Sequence, residues 1–299
     1  PAACRAAATR CGPWVTRCGV PREIGGANGF GTVSHGDAAR PTIAGPRPLR
    51  VGDMEVLVTG GTGTLGRATV PLLIAADHDV RVLSRRSGPG LTTGDLERRQ
   101  GLKRALDGVH TVLHLATSGG ARDVRAAANL SKAAAEAGVH HLVFISIVGV
   151  DRVPLSYYQA KLEAERQLVA SGLGLTIQRA TQFHDLVVQI LRSQRPSPLL
   201  FVPDIPLQPI DTSVVARRLV DLVNGEPAGR APDLGGPRTE RFTELARQWQ
   251  EHIKRARPIV PVKVPGRTFT AYAKGEHVAP EGAVGDSPTF ADYVGAGNG

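Results

Sequence analysis

The chain has 299 residues, of which 41% are hydrophobic, 21% charged and 4% aromatic, a globular composition that excludes collagen-like and disordered proteins. Its formal net charge is +9, but the basic residues are scattered and not interleaved with aromatic side chains, so we expect no nucleic-acid partner. No apolar run approaches the ~18 residues that a membrane helix needs, so we expect no membrane partner either.

Residues 1–53 differ in composition from the remainder. They hold 9 Gly, 6 Pro and all three cysteines, Cys4, Cys11 and Cys18, and they show no helix or strand periodicity. Because Met54 is the only methionine and precedes the first strand pattern, we interpret residues 1–53 as a disordered or non-native N-terminal extension, with Met54 as the natural start. A targeting peptide is the alternative, since arginine is frequent there.

The cysteine pattern also bears on metal binding and on the cell compartment. The three cysteines lack the short pair spacing of zinc sites, so we expect no bound metal. The remainder of the chain contains no cysteine, which fits a reducing compartment, and we predict a cytoplasmic protein.

From residue 54 onward, short β-rich segments alternate with helical patterns. In chain order the predicted elements are strand 55–59, helix 64–76, strand 79–84, a short strand 91–93, helix 98–107, strand 111–116, helix 121–137, strand 141–146, helix 157–171 and strand 175–179. This alternation implies right-handed βαβ units. The predicted fold class is α/β, a Rossmann-like doubly wound parallel sheet.

After about residue 180 the alternation loosens. Prolines crowd residues 196–209, helices are predicted at 212–224 and 239–254, and residues 258–265 are too rich in proline for a central strand. We therefore expect a small C-terminal substrate-binding region, mainly residues 180–299, over the carboxyl edge of the sheet. Residues 54–299 would together form one domain.

A glycine-rich turn joins the first predicted strand to the first helix. Gly60, Gly63 and Gly66 give a G-x-x-G-x-x-G spacing, which gains meaning from its place between a strand and a helix. Gly60 would allow the tight turn, Gly63 the close approach of a pyrophosphate, and Gly66 the packing of helix on strand. Thr62, Thr64 and Leu65 complete the predicted cofactor contact at the helix N-terminus. A structural turn without a ligand is the alternative.

The second strand ends at Ser84, followed by Arg85 and Arg86. Dinucleotide folds that bind NAD carry an acid near this point for the ribose 2′-hydroxyl, and no acid stands here. A guanidinium pairs well with a 2′-phosphate, so we predict NADP(H) as the preferred cofactor, with NAD(H) possible. The alternative is that both arginines are solvated loop charges.

A Y-x-x-x-K pair, Tyr157 and Lys161, follows later in the chain. With the glycine turn, it resembles the short-chain dehydrogenase/reductase superfamily, and more narrowly its atypical, NmrA-like NAD(P)H-binding branch, over residues 54–294. The other segments that carry the resemblance are 94–96, 114–117, 146–149, 179–184, 209–211 and 214–216.

The resemblance implies roles for individual residues. Tyr157 would be the catalytic acid/base, Lys161 would lower its pKa and hold the nicotinamide ribose, and Ser146 would hold the substrate oxygen. Further cofactor contacts are implied at Asp95 and Leu96, for adenine, and at Leu115, Ala116 and Thr117, for the nicotinamide side.

Several of these assignments leave alternatives open. Tyr158 competes with Tyr157, and Ile147 stands where the superfamily often has a second hydroxyl. Asp95 could instead cap a helix. His184 could contact substrate or be structural.

The leading hypothesis is an NADP(H)-dependent oxidoreductase that acts by hydride transfer on a small carbonyl, enone or quinone-like substrate, as a monomer or homodimer. The alternative is a non-catalytic NmrA-like NADP(H)-binding redox sensor, and a third reading is a relative of sugar-nucleotide epimerases. The two leading hypotheses differ in whether Tyr157 is needed for turnover.

Overall fold

The computed structural model describes residues 54–299. The predictions made for residues 1–53, including the extension and its three cysteines, lie outside the described residues.

Seven parallel strands form the central sheet of the described region. The described residues contain eleven strands, of which seven form this sheet: β1 (Glu55–Thr59), β2 (Asp79–Ser84), β3 (Leu91–Thr93), β4 (Thr111–His114), β5 (His141–Ile147), β6 (Leu175–Ala180), β7 (Leu200–Pro203), β8 (Pro206–Leu207), β9 (Gly229–Arg230), β10 (Glu240–Arg241) and β11 (Ile259–Val262). The sheet order is β3-β2-β1-β4-β5-β6-β9, and every neighbouring pair is parallel. This order confirms the predicted Rossmann-like α/β fold.

The α-helices of the described region are α1 (Thr64–Ala75), α2 (Leu102–Leu106), α3 (Ala121–Glu136), α4 (Ser156–Ala170), α5 (His184–Ser193), α6 (Thr212–Val223), α7 (Phe242–His252), α8 (Arg267–Ala273) and α9 (Phe290–Tyr293). Of these, α1 and α6 cover one face of the central sheet, and α2, α3 and α4 cover the other. Successive strand side chains point to opposite faces, so Val56 and Val58 pack with α1 and α6, while Leu57 packs with α3 and α4. Two separate apolar layers therefore hold the sheet rigid between helices.

The predicted helix 98–107 is shorter than expected, since α2 begins only at Leu102. Residues 95–100 instead form a turn, in which the Asp95 carboxylate accepts hydrogen bonds from the backbone N–H groups of Glu97 and Arg98. Arg99 has φ 55°, a left-handed conformation that ends any helix at that point. The prediction for 98–101 was therefore wrong.

The C-terminal region packs around its own apolar cluster. Trp249 on α7 is fully buried among residues of α5, β7 and α9. β7 and β11 pair in parallel, and β8 and β10 pair antiparallel, outside the main sheet. The proline-rich segment 258–265 thus contributes β11, which pairs with β7 outside the central sheet, and it adds no strand to that sheet. A substrate-binding role for this region stays a prediction.

No helix within residues 54–299 is both long and apolar enough to cross a membrane.

Candidate functional site

The candidate residues gather at the carboxyl ends of the parallel strands. β1 lies between β2 and β4, so the chain leaves β1 toward one edge of the sheet and returns on its other side. Ligands of open α/β sheets bind in the crevice where the strand order reverses. The loops after β1, β4 and β5 therefore define the candidate site.

At two glycines of the glycine turn, neighbouring backbone atoms leave no room for a side chain. Gly60 has φ 74°, and a Cβ atom there would lie 2.6 Å from the backbone nitrogen of Ala116. A Cβ atom at Gly66 would lie 2.3 Å from the carbonyl oxygen of Gly60, so this glycine lets α1 approach the turn. At Gly63 the nearest such contact is the same carbonyl oxygen at 3.2 Å. Gly63 is thus the one of the three glycines that packing does not fully require.

The N-terminus of α1 fits an anionic ligand. Gly63 precedes the helix without a side-chain cap, and the first turn carries no acidic residue. Thr62, Gly63 and Thr64 are exposed, whereas Leu65 is buried against the sheet. Uncapped N–H groups at the positive end of the helix dipole suit a phosphate, so the residues present fit the pyrophosphate of a dinucleotide.

Arg85 and Arg86 lie directly after β2, on the same edge of the sheet. Both are exposed, and neither makes an ion pair with another of residues 54–299. The backbone N–H of Arg86 donates to the Ser84 hydroxyl at 3.0 Å, which shapes the start of this loop. Both guanidinium groups are therefore available to an anion such as a 2′-phosphate.

Asp95 and Leu96 follow β3, the next strand toward that edge. Asp95 uses one carboxylate oxygen to cap its own turn, but no helix begins there, so the alternative interpretation of this residue as a helix cap was wrong. Leu96 is half-buried against the α3 side of the core, and its carbonyl oxygen accepts a hydrogen bond from Asn129 at 2.8 Å. Their contact with an adenine ring stays a prediction.

Tyr157 and Lys161 lie one turn apart on α4, on the side that faces the loop after β4. The Tyr157 hydroxyl is 3.3 Å from the Thr117 hydroxyl oxygen. Tyr158 instead points into a separate cluster with Val153 and Tyr272 and is nearly fully buried. The structure therefore brings Tyr157, and not its neighbour, to the loop that the resemblance assigns to the nicotinamide.

Lys161 is a buried cation. Its Nζ atom lies 4.8 Å from the centre of the Phe144 ring, a cation–π contact. Burial lowers the pKa of Lys161 to about 8, against the opposing charges of Asp123 and Glu165. Glu165 is itself held by Arg179 through two hydrogen bonds of 2.9 and 2.6 Å, which fasten α4 to β6.

The pKa of Tyr157 moves in the direction opposite to the one that the resemblance implied. Burial raises it, and the negative charge of Asp123 adds to the effect. The phenol is therefore protonated at neutral pH, as a proton donor requires.

Ser146 occupies the end of β5. It is nearly fully buried, and its hydroxyl has no hydrogen-bond partner among the described residues. Gln182, after β6, is a second such group, since neither atom of its side-chain amide has a partner there. Buried polar groups are normally satisfied, so both side chains are suited to a ligand's polar atoms.

Sequence reasoning missed Gln182 and Asp123 as candidate site residues. Asp123 is buried on α3 and receives hydrogen bonds from the loop after β4. The available signals were weak: a polar residue just past a strand end for Gln182, and an acid in the first turn of a helix for Asp123.

His184 belongs to the C-terminal core. Its Nε2 atom donates to the carbonyl oxygen of Pro288 at 3.1 Å, and its ring packs against Phe290 and Tyr293. It is fully buried, which favours the structural interpretation of this histidine over a substrate contact.

Comparison with known proteins agrees with this geometry. A family model described as NAD(P)H-binding matches residues 60–189, which include the glycine turn and the Tyr–Lys pair. A (4-alkanoyl-5-oxo-2,5-dihydrofuran-3-yl)methyl phosphate reductase from Streptomyces griseus is 30% identical over 210 residues, which cover 64% of this chain and 73% of that protein. A chloroplastic divinyl chlorophyllide a 8-vinyl-reductase from Oryza sativa is 29% identical over 228 residues, covering 64% of this chain and 56% of the relative.

The chain spans about half the length of several curated relatives that it matches. Among solved structures, an NADPH-dependent quinone oxidoreductase from Escherichia coli, complexed with NADPH, superposes with a TM-score of 0.66 at 18% identity. That match covers 81% of this chain and 99% of the other, and at this identity it concerns the fold alone. On its sequence matches, its glycine turn and its sheet order, the chain belongs to the NAD(P)H-binding family of atypical, NmrA-like short-chain dehydrogenases/reductases.

Proposed function

We propose that this protein is an NADP(H)-dependent oxidoreductase that reduces a small carbonyl, enone or quinone-like substrate. The observation that carries the proposal is the protonated Tyr157 phenol, held 3.3 Å from Thr117 at the carboxyl edge of the sheet. The similar proteins from Streptomyces griseus and Oryza sativa are both named as reductases, which supports the reaction class.

The cofactor would lie across the strand ends. The uncapped first turn of α1 would hold its pyrophosphate, Arg85 and Arg86 its 2′-phosphate, and Lys161 its nicotinamide ribose. When bound, NADPH supplies the hydride that reduces the substrate.

The chain's own side chains would bind the substrate and manage its proton. The Ser146 hydroxyl has no hydrogen-bond partner within residues 54–299, so it would donate a hydrogen bond to the substrate oxygen. Tyr157 would give its phenolic proton to that oxygen as negative charge develops there, and it would regain a proton from solvent. The ammonium group of Lys161 would stabilise the tyrosinate formed in between.

The names of the relatives narrow the substrate class. A 5-oxo-2,5-dihydrofuran and a quinone both contain a carbonyl conjugated to a carbon–carbon double bond. We therefore propose a planar, conjugated carbonyl compound as the first substrate to test. The cytoplasmic location and the choice between monomer and homodimer stay predictions.

The test is a calorimetric titration of NADPH and NADH into the full chain, followed by a screen of enones and quinones for NADPH oxidation. We expect tighter binding of NADPH, and a double variant Arg85→Ala/Arg86→Ala should remove the preference without abolishing NADH binding. A failure of both nucleotides to bind would overturn the proposal.

Tyr157→Phe then tests the catalytic assignment. Loss of a general acid should lower kcat by about 100-fold or more, with the dissociation constant of NADPH nearly unchanged. Tyr293→Phe is the matched control, because its ring packs against His184 in the C-terminal cluster and not against the loop after β4. Equal losses in the two variants would count against Tyr157 as the proton donor.

A non-catalytic, NADP(H)-binding redox sensor is the second candidate function. It is favoured by one observation: β5 ends at Ile147, which carries no hydroxyl at the position where the superfamily often has a second one. A sensor would bind NADPH and NADP⁺ with different affinities and show no turnover. Tyr157→Phe would then change neither affinity by more than a few-fold.

A further inference from the structure

Asp123 is a buried carboxylate that organises the loop after β4. It lies in the first turn of α3 and is 5% exposed. One of its oxygens accepts from the Thr117 hydroxyl at 2.6 Å. The other accepts from the backbone N–H and the hydroxyl of Ser118, at 2.6 and 2.8 Å. Three hydrogen bonds thus fix Thr117, the last residue of the predicted nicotinamide segment, and Ser118, which follows it.

These contacts set the direction of the hydrogen bond to Tyr157. Burial alone would raise the pKa of Asp123, but the hydrogen bonds from Thr117 and Ser118 and the charge of Lys161 outweigh it and lower the pKa. An ionised carboxylate can only accept hydrogen bonds, so the Thr117 hydroxyl donates its one hydrogen to Asp123. In the 3.3 Å contact between Thr117 and Tyr157, the phenol must therefore be the donor.

Asp123 also lies near Lys161, because its hydrogen-bond partner Thr117 is 3.3 Å from Tyr157, which is one helical turn before Lys161 on α4. Three titratable groups act on that ammonium group: Asp123 from α3, His114 from β4, and Glu165 from α4 itself. His114 is neutral, because burial and the charge of Lys161 lower its pKa to about 3. Glu165 is matched by Arg179 at 2.6 Å. Asp123 makes no ion pair with an arginine of residues 54–299, so its charge, unlike that of Glu165, is not shared with a guanidinium group.

We propose that Asp123 is a positioning residue that keeps two protons at the site, one on the Tyr157 oxygen through Thr117 and one on Lys161 Nζ through its charge. The inference rests on the proposed function, in which both protons are needed for reduction. It assigns a role to a residue outside the glycine turn and the Tyr–Lys motif. Asp123 itself touches neither substrate nor cofactor in this assignment.

The first test measures the titration of Lys161 directly in the full chain. The chain has six lysines, so ¹³C-labelled lysine gives few signals, and the signal lost in Lys161→Gln assigns the one required. In Asp123→Asn the midpoint of Lys161 should fall by about 1 pH unit, because an opposing charge is removed from a buried cation. The alkaline limit of kcat should move down with it.

Asp185→Asn is the matched control. Asp185 also lies in the first turn of a helix, α5, and accepts from a threonine hydroxyl, Thr212, at 2.7 Å, but it does not act on Lys161. This variant should leave the Lys161 midpoint in place. A Lys161 midpoint that stays the same in folded Asp123→Asn would overturn the proposal.

The second test, which keeps Asp123 intact, follows the titration of Tyr157 in Thr117→Val. The chain has four tyrosines, and Tyr157→Phe assigns the signal of ¹³Cζ-labelled tyrosine. If the phenol donates to Thr117, loss of this acceptor lowers the Tyr157 pKa, and Thr117→Ser restores it. A rise of the pKa would mean that Thr117 donates to the phenolate, which would overturn the assigned direction.

The two proposals fail in different ways. If both midpoints move as expected but no carbonyl compound is reduced, the role of Asp123 stands and the reductase function fails. If NADPH-dependent reduction is found but neither midpoint moves, the reductase stands and the role of Asp123 is overturned.

Discussion

Lys161 is the residue at which stability and proposed function conflict. Its pKa is lowered from 10.5 to about 8 by burial, so between these values the unfolded chain binds more protons than the folded one. The free energy of unfolding therefore rises as pH increases from 8 to 10.5. At pH 7 the buried charge weakens the fold by up to about 3 kcal/mol.

Lys161→Met should therefore make the protein more stable at pH 7, by about 1–3 kcal/mol in urea unfolding, while it abolishes reductase activity. The advantage should shrink as pH rises from 8 to 10.5 and vanish above that, where the native lysine is neutral in both states. Lys132→Met, on an exposed position of α3, provides the comparison and should show no such gain. A less stable Lys161→Met at pH 7 would contradict this account.

Sequence patterns locate some site residues and miss others for a physical reason. The Tyr157–Lys161 pair is local, because a four-residue step places both side chains on one helix face. The choice between Tyr157 and Tyr158 depends on Tyr272, which is more than 100 residues away and packs against Tyr158. Asp123 escaped notice because its role is visible only once Thr117 and Lys161 lie beside it.

At the scale of elements, the glycine turn separates residues that the fold needs from residues that a ligand needs. A Cβ atom at Gly66 would lie 2.3 Å from the carbonyl oxygen of Gly60 and 2.5 Å from the Cα atom of Gly61. Both are backbone atoms, so relieving the overlap would require the backbone of the turn to shift. A Cβ atom at Gly63 meets only one carbonyl oxygen, at 3.2 Å. The two positions therefore predict different consequences of the same substitution.

Gly66→Ala should lower the free energy of unfolding by about 1–3 kcal/mol, as overpacking does. Gly63→Ala should fold almost as stably as the native chain but bind NADPH about tenfold more weakly, because the methyl group holds the pyrophosphate away from the backbone. Urea unfolding and calorimetry of both variants decide the matter. Native NADPH affinity in Gly63→Ala would mean that the pyrophosphate does not approach the turn here.

Element boundaries were predictable where apolar periodicity sets them. Strands β1, β2 and β3 have the predicted bounds, helices α1 and α3 end one residue earlier than predicted, and α4 is shifted by one residue at both ends. The conformation of segment 98–101 was not predictable in this way, because it depends on the Asp95 carboxylate and on the left-handed φ of Arg99. A side-chain cap of this kind leaves no periodic trace in the sequence.

At the scale of the whole molecule, the central sheet was predictable and the C-terminal region was not. Alternating strands and helices allow few topologies, since parallel connections are right-handed. The cluster around Trp249 instead joins α5, β7, α7 and α9, which are far apart in sequence and follow no repeating pattern. Its two-stranded sheets pair segments of only two to four residues.

Buried histidines spread over the molecule contribute to its response to acid, and fully buried His184 is one of them, with a pKa lowered by burial. Three others have strongly lowered pKa values. Burial lowers the pKa to about 3 for His114 on β4, to about 4 for His141 on β5, and to about 4 for His277 in the C-terminal region. Between pH 6.5 and about 4, these three histidines are protonated in the unfolded chain but remain neutral in the folded chain. The stability that these neutral histidines contribute is therefore complete above pH 6.5 and is lost as pH falls toward 4.

With three such groups, the free energy of unfolding should fall by up to about 4 kcal/mol per pH unit below pH 6. Urea unfolding at pH 7.5, 6 and 5, followed by circular dichroism, measures this slope. In the native protein, His277 Nε2 donates to the Pro206 carbonyl oxygen at 2.8 Å. The glutamine of His277→Gln can make the same hydrogen bond but cannot bind a proton. This variant should therefore reduce the slope by about 1.4 kcal/mol per pH unit. Equal stability at pH 7.5 and pH 5 would show that these imidazoles take up protons within the folded state, and that they are less enclosed than their burial indicates.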